Sequence, residues 1–141
     1  MSAGQPADSP YRRFFTKDRT PAQLVRQKQE RESHMFCFEK EISSQPAGEG
    51  CTRRILAVNQ SQMLVEVRFE KGAVGADHTH PHQQITYVLE GRFEARCAWQ
   101  KAILGPGDTV TVPAGALHGM TALEQGVLLD IFTPIREDFL K

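Results

Sequence analysis

The sequence predicts an all-β domain, a sandwich or barrel of short strands preceded by an N-terminal arm. Two observations predict it. After residue 35, apolar residues recur with the period of two that marks a strand with one buried face. Glycine and proline then break these runs at short intervals, so the strands follow one another without the crossover helices of βαβ units. The 141 residues suffice for one domain, and 40% hydrophobic with 24% charged residues is an ordinary globular composition.

Taken in order, the first ten residues are small, polar and proline-containing, the composition of a loosely ordered tail. Thr20-Pro21 is a helix-start signal, with Thr as N-cap and Pro at the first helical position. Residues 22–32 favour helix but contain only Leu24 and Val25 as sizeable apolar residues, so a helix there is short and mostly solvated, or an arm packed on a partner subunit. Met63, Val65, Val67 and Phe69 then alternate with Leu64, Glu66, Arg68 and Glu70, and Lys71-Gly72 ends that strand. Residues 84–90 form a β-branched and aromatic run closed by Gly91, and residues 92–99 continue with Phe93, Ala95, Cys97 and Trp99 on one parity. Trp99, at the strand end, is placed to cover an edge. Gly105-Pro106-Gly107-Asp108 is turn chemistry, residues 109–112 are a short strand, and residues 127–133 are a last apolar strand before Pro134.

Composition also excludes partners. Seventeen basic residues balance seventeen acidic ones, so no whole-protein field draws the chain to nucleic acid or an anionic membrane. Apolar runs are far short of the roughly 20 residues that span a bilayer, and the first ten residues carry no secretory signal. Cys37, Cys51 and Cys97 are an odd count without CxxC spacing, which argues against a disulfide framework or a zinc-thiolate site. The expected compartment is the cytoplasm. Arg12-Arg13 and Arg53-Arg54 lack an aromatic platform and read as solvated pairs. Cys97 reads as barrel wall, and Tyr87, on the parity opposite Gln84, as core or interface.

Chemistry concentrates in histidine. His78, His80 and His82 fall within five residues, and residues two apart on a strand share a face, so His78 and His80 can aim both rings at one point. Gln84 follows on the next strand and His118 on a distant one, completing a set that can hold a divalent metal. Pro81 breaks strand geometry beside His82, which is left outside the ligand set. His34 reads as a surface residue. Asp130 lies in the middle of an apolar strand, sharing a face with Leu128 and Phe132. A buried aspartate is costly unless paired or working. Its partners are Arg68, Arg136 or backbone amides, or it is a proton-transfer group on the inner wall. Arg136, just after Pro134, is either a surface cation beside Glu137 and Asp138 or a clamp for a substrate carboxylate.

The spacing resembles a known family. Gly72, five residues, His78-x-His80, three residues, Gln84, six residues and Gly91 is similar to the first cupin motif; Gly107, five residues, Pro113-x-Gly115, two residues and His118 is similar to the second. The resemblance covers residues 42–141 and implies a double-stranded β-helix (jelly-roll) barrel around a metal, often dimeric through its sheets, with residues 1–41 as an arm. Two positions depart from the general pattern: Gln84 stands for Glu and Ala122 for Asn. A carboxamide keeps an oxygen ligand but removes a negative charge, which favours an anionic substrate and weakens the case for an iron oxygenase. The segments around His78–Gln84 and Asp130–Arg136 further resemble pectin-degradation cupins of the KdgF type, in which Gln is a metal ligand. That resemblance implies ring-opening of 4,5-unsaturated uronates from pectin or alginate, an isomerase-like reaction on a small anionic sugar. It implies Asp130, Phe132 and Arg136 as the residues that act on and position the sugar, and one divalent ion (Zn, Ni, Co, Mn or Fe) held by His78, His80, Gln84 and His118. The alternatives are a cupin dioxygenase and a non-catalytic sugar-binding cupin. A homodimer is expected because so short a chain has few residues to spare for its core.

Overall fold

Alternation along the chain becomes two facing sheets. The computed structural model describes residues 20–23 and 35–141. Among them are β1 (Ser44–Pro46), β2 (Cys51–Val58), β3 (Met63–Phe69), β4 (Val74–His78), β5 (Gln83–Glu90), β6 (Phe93–Cys97), β7 (Gln100–Leu104), β8 (Thr109–Val112), β9 (His118–Ala122) and β10 (Gly126–Thr133). A six-stranded sheet runs β1-β2-β3-β10-β5-β8 and a four-stranded sheet β4-β9-β6-β7. All pairings are antiparallel, and the architecture is the expected all-β jelly roll.

The crossovers decide what meets. β10 enters between β3 and β5, so Asp130 lies between Val65 and Thr86, and Phe132 between Met63 and Gln84. β4 pairs with β9, which sets His78 opposite His118 across forty residues of chain. Inward residues form two apolar clusters. Cys51, Phe69, Val88, Phe93, Ala122 and Leu128 fill one; Ile55, Met63, Val65, Phe132, Ile135 and Leu140 fill the other. Burying each large side chain stabilises the fold by about 1.5–3 kcal/mol. The C-terminal 3-10 turn, Glu137–Leu140, adds Leu140 and the partly buried Phe139 to the second cluster.

One turn needs glycine. Gly91 joins β5 to β6 at φ +81, and a Cβ there would lie 2.5 Å from the Gln125 carbonyl oxygen. At the other end of the small sheet, Asp77 accepts a 2.8 Å bond from Arg96 Nε, pinning β4 beside His78.

Several expectations are revised. His78 and His80 do not share a strand: β4 ends at His78, and His80 sits in the connection to β5. Arg53 and Arg54 are not a solvated pair. Arg54 bonds Glu66 at 3.0 Å and Glu39 at 2.9 Å, tying the 3-10 turn Glu39–Glu41 to the large sheet. Arg53 shares its parity with the buried Cys51 and Ile55 and turns inward. Trp99 covers no edge; it stands 89% exposed at the β6–β7 turn. Cys97 is half-buried in β6. At the N-terminus, Thr20 Oγ1 accepts from the Gln23 amide and Gln23 Oε1 from the Thr20 amide, a capping box opening a helical turn at residues 21–23. The remainder of that helix reading, with Leu24, Val25, His34 and Arg12-Arg13, lies outside the described residues. Among those described, no helix is long and apolar enough to cross a membrane.

Candidate metal centre

His78 closes β4, His118 opens β9, His80 follows in the connecting loop and Gln84 stands on the inner face of β5. The two sheets therefore meet at one point. Ligand atoms of His78, His80 and His118 all lie within 4.8 Å of one another. His78 and His118 lie tilted at 49° with ring centroids 4.4 Å apart, and His80 meets His118 edge-on at 4.7 Å.

Backbone carbonyls choose the tautomers. His78 Nδ1 lies 2.9 Å from the Ala76 carbonyl, His80 Nδ1 3.1 Å from that of His82, and His118 Nδ1 2.8 Å from that of Ala116. A carbonyl only accepts, so each Nδ1 carries the hydrogen and donates it. Each Nε2 of a neutral ring is left with a lone pair. Burial pushes the His80 pKa down against the opposing contact with Gln84, and burial likewise lowers His118. Both shifts favour the neutral ring, the form that binds metal.

Three atoms of the cluster then lack a hydrogen-bonding explanation. The buried His118 Nε2 has no partner among the described residues. His80 Nε2 faces Gln84 Oε1 at 2.9 Å, and in this tautomer both atoms are acceptors. The amide cannot turn to relieve this, because Gln84 Nε2 donates to Thr86 Oγ1 at 2.9 Å and to Asp130 Oδ1 at 3.3 Å. Lone pairs aimed at a common point from neutral N and O donors are what a divalent cation requires. The residues fit the group.

Asp130 orients that arrangement. Its Oδ1 accepts from Gln84 and, through a short bond, from the Thr86 hydroxyl. The alternatives of Arg68 and Arg136 as its partners are not realised: Arg68 bonds Glu66 and Arg136 bonds Asp138. Burial pushes the Asp130 carboxyl up to about 6, against the hydrogen bonds from Thr86 and Gln84 and the charge of Arg136 that pull it down. Thr86 was not among the residues read from sequence, although a polar residue sharing the parity of Gln84 on a buried face was the available signal. A cavity of about 100 Å³ adjoins the cluster, with His78, Gln84, Thr86, His118 and Asp130 along its polar side and Val67, Phe69, Leu128 and Met120 among its apolar walls.

Phe132 and Arg136 stand beside this cavity and do not line it. Phe132 meets the His80 ring edge-on at 5.7 Å. The Arg136 guanidinium lies 5.1 Å over Phe132 and 4.1 Å over Phe139, and bonds Asp138 at 3.0 and 2.8 Å. Its charge is felt at His80, His118 and Asp130. His82 is half-buried, its Nδ1 is without a partner among the described residues, and its ring lies 5.4 Å from the His80 ring and 6.5 Å from Phe132, beside the three converging imidazoles and not one of them.

Comparison with known proteins bears on the family and the fold. A family model described as "Cupin domain" matches residues 65–132. The pectin degradation protein KdgF of Dickeya dadantii (strain 3937) is 39% identical over 107 residues, covering 74% of this chain and 97% of that protein. Among solved structures, an RmlC-like cupin from Shewanella frigidimarina superposes with a TM-score of 0.72 at 37% identity, over 75% of this chain and 96% of its own. KdgF from Halomonas sp. superposes with a TM-score of 0.70 at 39% identity, over 74% and 98%.

Proposed function

This chain belongs to the cupin family of the pectin degradation protein KdgF, and from that premise we propose that it is a metal-dependent enzyme that opens the ring of 4,5-unsaturated uronates. The observation that carries the reading is the Asp130 carboxyl, buried beside Gln84 at the polar wall of the cavity with its pKa pushed to about 6. An acid–base group works best with its pKa near the operating pH.

His78, His80, Gln84 and His118 would hold a divalent ion, which when bound supplies Lewis-acid stabilisation of negative charge on a substrate oxygen. All four ligands are neutral, so the site keeps the full charge of the ion and favours an anionic sugar. Asp130 takes the proton of the anomeric hydroxyl as the ring C–O bond breaks, leaving an aldehyde and an enolate. The same carboxyl delivers that proton to C4 as the enolate becomes a ketone, so the reaction is an isomerisation with nothing added or lost. Phe132 packs against the sugar and excludes water, and Arg136 offers the substrate carboxylate the donors that Asp138 leaves free. The test is a turnover screen of metal-loaded protein on unsaturated uronates, followed by NMR. Appearance of the linear keto-aldehyde without oxygen consumption supports the reading; no turnover, or turnover that consumes oxygen, refutes it.

The working unit in this proposal is a homodimer. The outer face of the large sheet sets Ile131 in register with Leu64 and Ile85, and Leu129 with Tyr87. Ile85, Tyr87, Leu89 and Ile131 remain 40–46% exposed there, an apolar face suited to a second copy. Residues 1–41 act as an arm on that partner. Light scattering of the full chain and an arm-deleted form tests this, and a monomer in both refutes it.

A further inference from the structure

Beside the cavity lies a second cation that the reaction as described does not use. Arg53 is in register with Val67, a residue of the cavity wall, and points to the same inner face. Its guanidinium lies 3.8 Å over the Phe139 ring, the ring against which Arg136 lies at 4.1 Å. Phe139 in turn meets Phe132 edge-on at 5.7 Å, and Phe132 meets His80. Two guanidiniums therefore share one phenyl ring that leads directly to the histidine cluster.

Their charges are not balanced alike. Arg136 is bonded at two points to Asp138. Arg53 has only a long 3.4 Å bond from Nε to the neutral Gln45 Oε1, and its two Nη groups have no partner among the described residues. Burial and the neighbouring Arg136 both pull the Arg53 pKa down, and Asp138 only partly opposes them. A partly buried cation with unused donors beside another cation costs stability that a bound anion restores. Two arginines and one carboxylate leave one positive charge here, enough to pair with one carboxylate.

We propose that Arg53 is a second anion-binding side chain of the site, taking the substrate carboxylate together with Arg136 across Phe139 and selecting uronates over neutral sugars. The proposal deepens the uronate reading and rests on it for the substrate class. A guanidinium that merely held Phe139 in place would matter equally to acidic and neutral sugars, and this separates recognition from packing.

The probes are D-galacturonate and D-galactose, titrated calorimetrically into the metal-loaded full chain, with the KM and kcat of an unsaturated uronate measured alongside. Arg53→Gln should weaken galacturonate about tenfold or more, as for loss of a charge-assisted bond, and leave galactose unchanged. It should raise KM by a like factor with little change in kcat, and Arg53→Lys should recover part of both. Equal weakening of the two sugars, unchanged galacturonate binding in a variant of native melting temperature, or no galacturonate binding by the parent would overturn the proposal. If Arg53→Gln does not fold, Arg53→Lys decides: a narrowed preference for the acid supports the proposal, and an unchanged preference overturns it. Turnover by the parent with KM unaffected by Arg53→Gln sinks this inference alone. Arg53-dependent galacturonate binding without turnover sustains it and sinks the ring-opening reading.

Discussion

Replacing Asp130 by Asn should make the protein more stable and far less active. The carboxyl is raised from 3.8 to about 6 by burial. A shift of roughly two units at 1.36 kcal/mol each is a penalty of about 3 kcal/mol on the ionised form in the folded, metal-free chain. The sign follows from the direction. For an acid whose pKa rises on folding, the cost is absent below the unfolded value near 3.8 and complete above the folded value near 6. Asn keeps an oxygen that accepts from Thr86 and Gln84, so little hydrogen bonding is lost. Metal-stripped Asp130→Asn should therefore exceed the parent by up to about 3 kcal/mol at pH 8, a gain that shrinks toward zero near pH 4. With metal restored, turnover should fall about 10²–10⁴-fold at unchanged metal content. Urea unfolding across pH, uronate turnover and elemental analysis provide the readouts. Parent-level turnover would reduce Asp130 to a partner that orients Gln84. Lower stability than the parent at pH 8 would refute the burial argument itself.

Other substitutions probe separate parts of the structure. His78→Ala combined with His118→Ala should abolish bound metal by elemental analysis, and metal content equal to the parent would refute the ligand set. Arg136→Ala should raise KM for uronate about tenfold with a smaller effect on kcat, as removal of a carboxylate donor requires. Glu66 is buried on the outer face of the large sheet; burial pushes its pKa up, but bonds from Arg54 and Arg68 outweigh this and hold it below 4.5. Its stabilisation is therefore present above pH 4.5 and lost as pH falls through the folded value, so Glu66→Gln should flatten the acid limb of the unfolding curve. Gly91→Ala forces a side chain into φ +81 and against the Gln125 carbonyl, and should cost at least about 1–3 kcal/mol by thermal melting.

The strands legible in the sequence are those whose buried face is purely apolar or nearly so. β3 alternates without interruption, and the apolar runs of β5 and β10 are bounded by glycine and proline. β9 was legible only as the strand that carries His118, without its extent, because it is five residues long and opens on His118-Gly119, where chemistry and close packing replace hydrophobic periodicity. β7 presents four exposed residues, so no burial pattern marks it. In the site, spacing disclosed the three histidines and Gln84, because fixed intervals on paired strands leave a record in the chain. The orientation of Gln84 did not, since it depends on Thr86 and Asp130 meeting across the β5–β10 pairing.

β2 is the instructive omission. Its inward positions read Cys51, Arg53 and Ile55, and a register shift between Ile55 and Ala57 breaks the period beyond them. An arginine on a buried face defeats pattern reading for the same physical reason that it is costly to bury. Local rules fail where a residue is kept against its own solvation preference, and such residues concentrate at working sites. Asp130 broke the pattern of β10 in the same way, but it stood in an otherwise unbroken apolar run and was noticed. Arg53 had beside it Arg54, an outward residue paired with Glu66, and the two together imitate a solvated basic pair. The structure separates them by parity, sending one charge to the surface and the other to Phe139, on the flank of the histidine cluster.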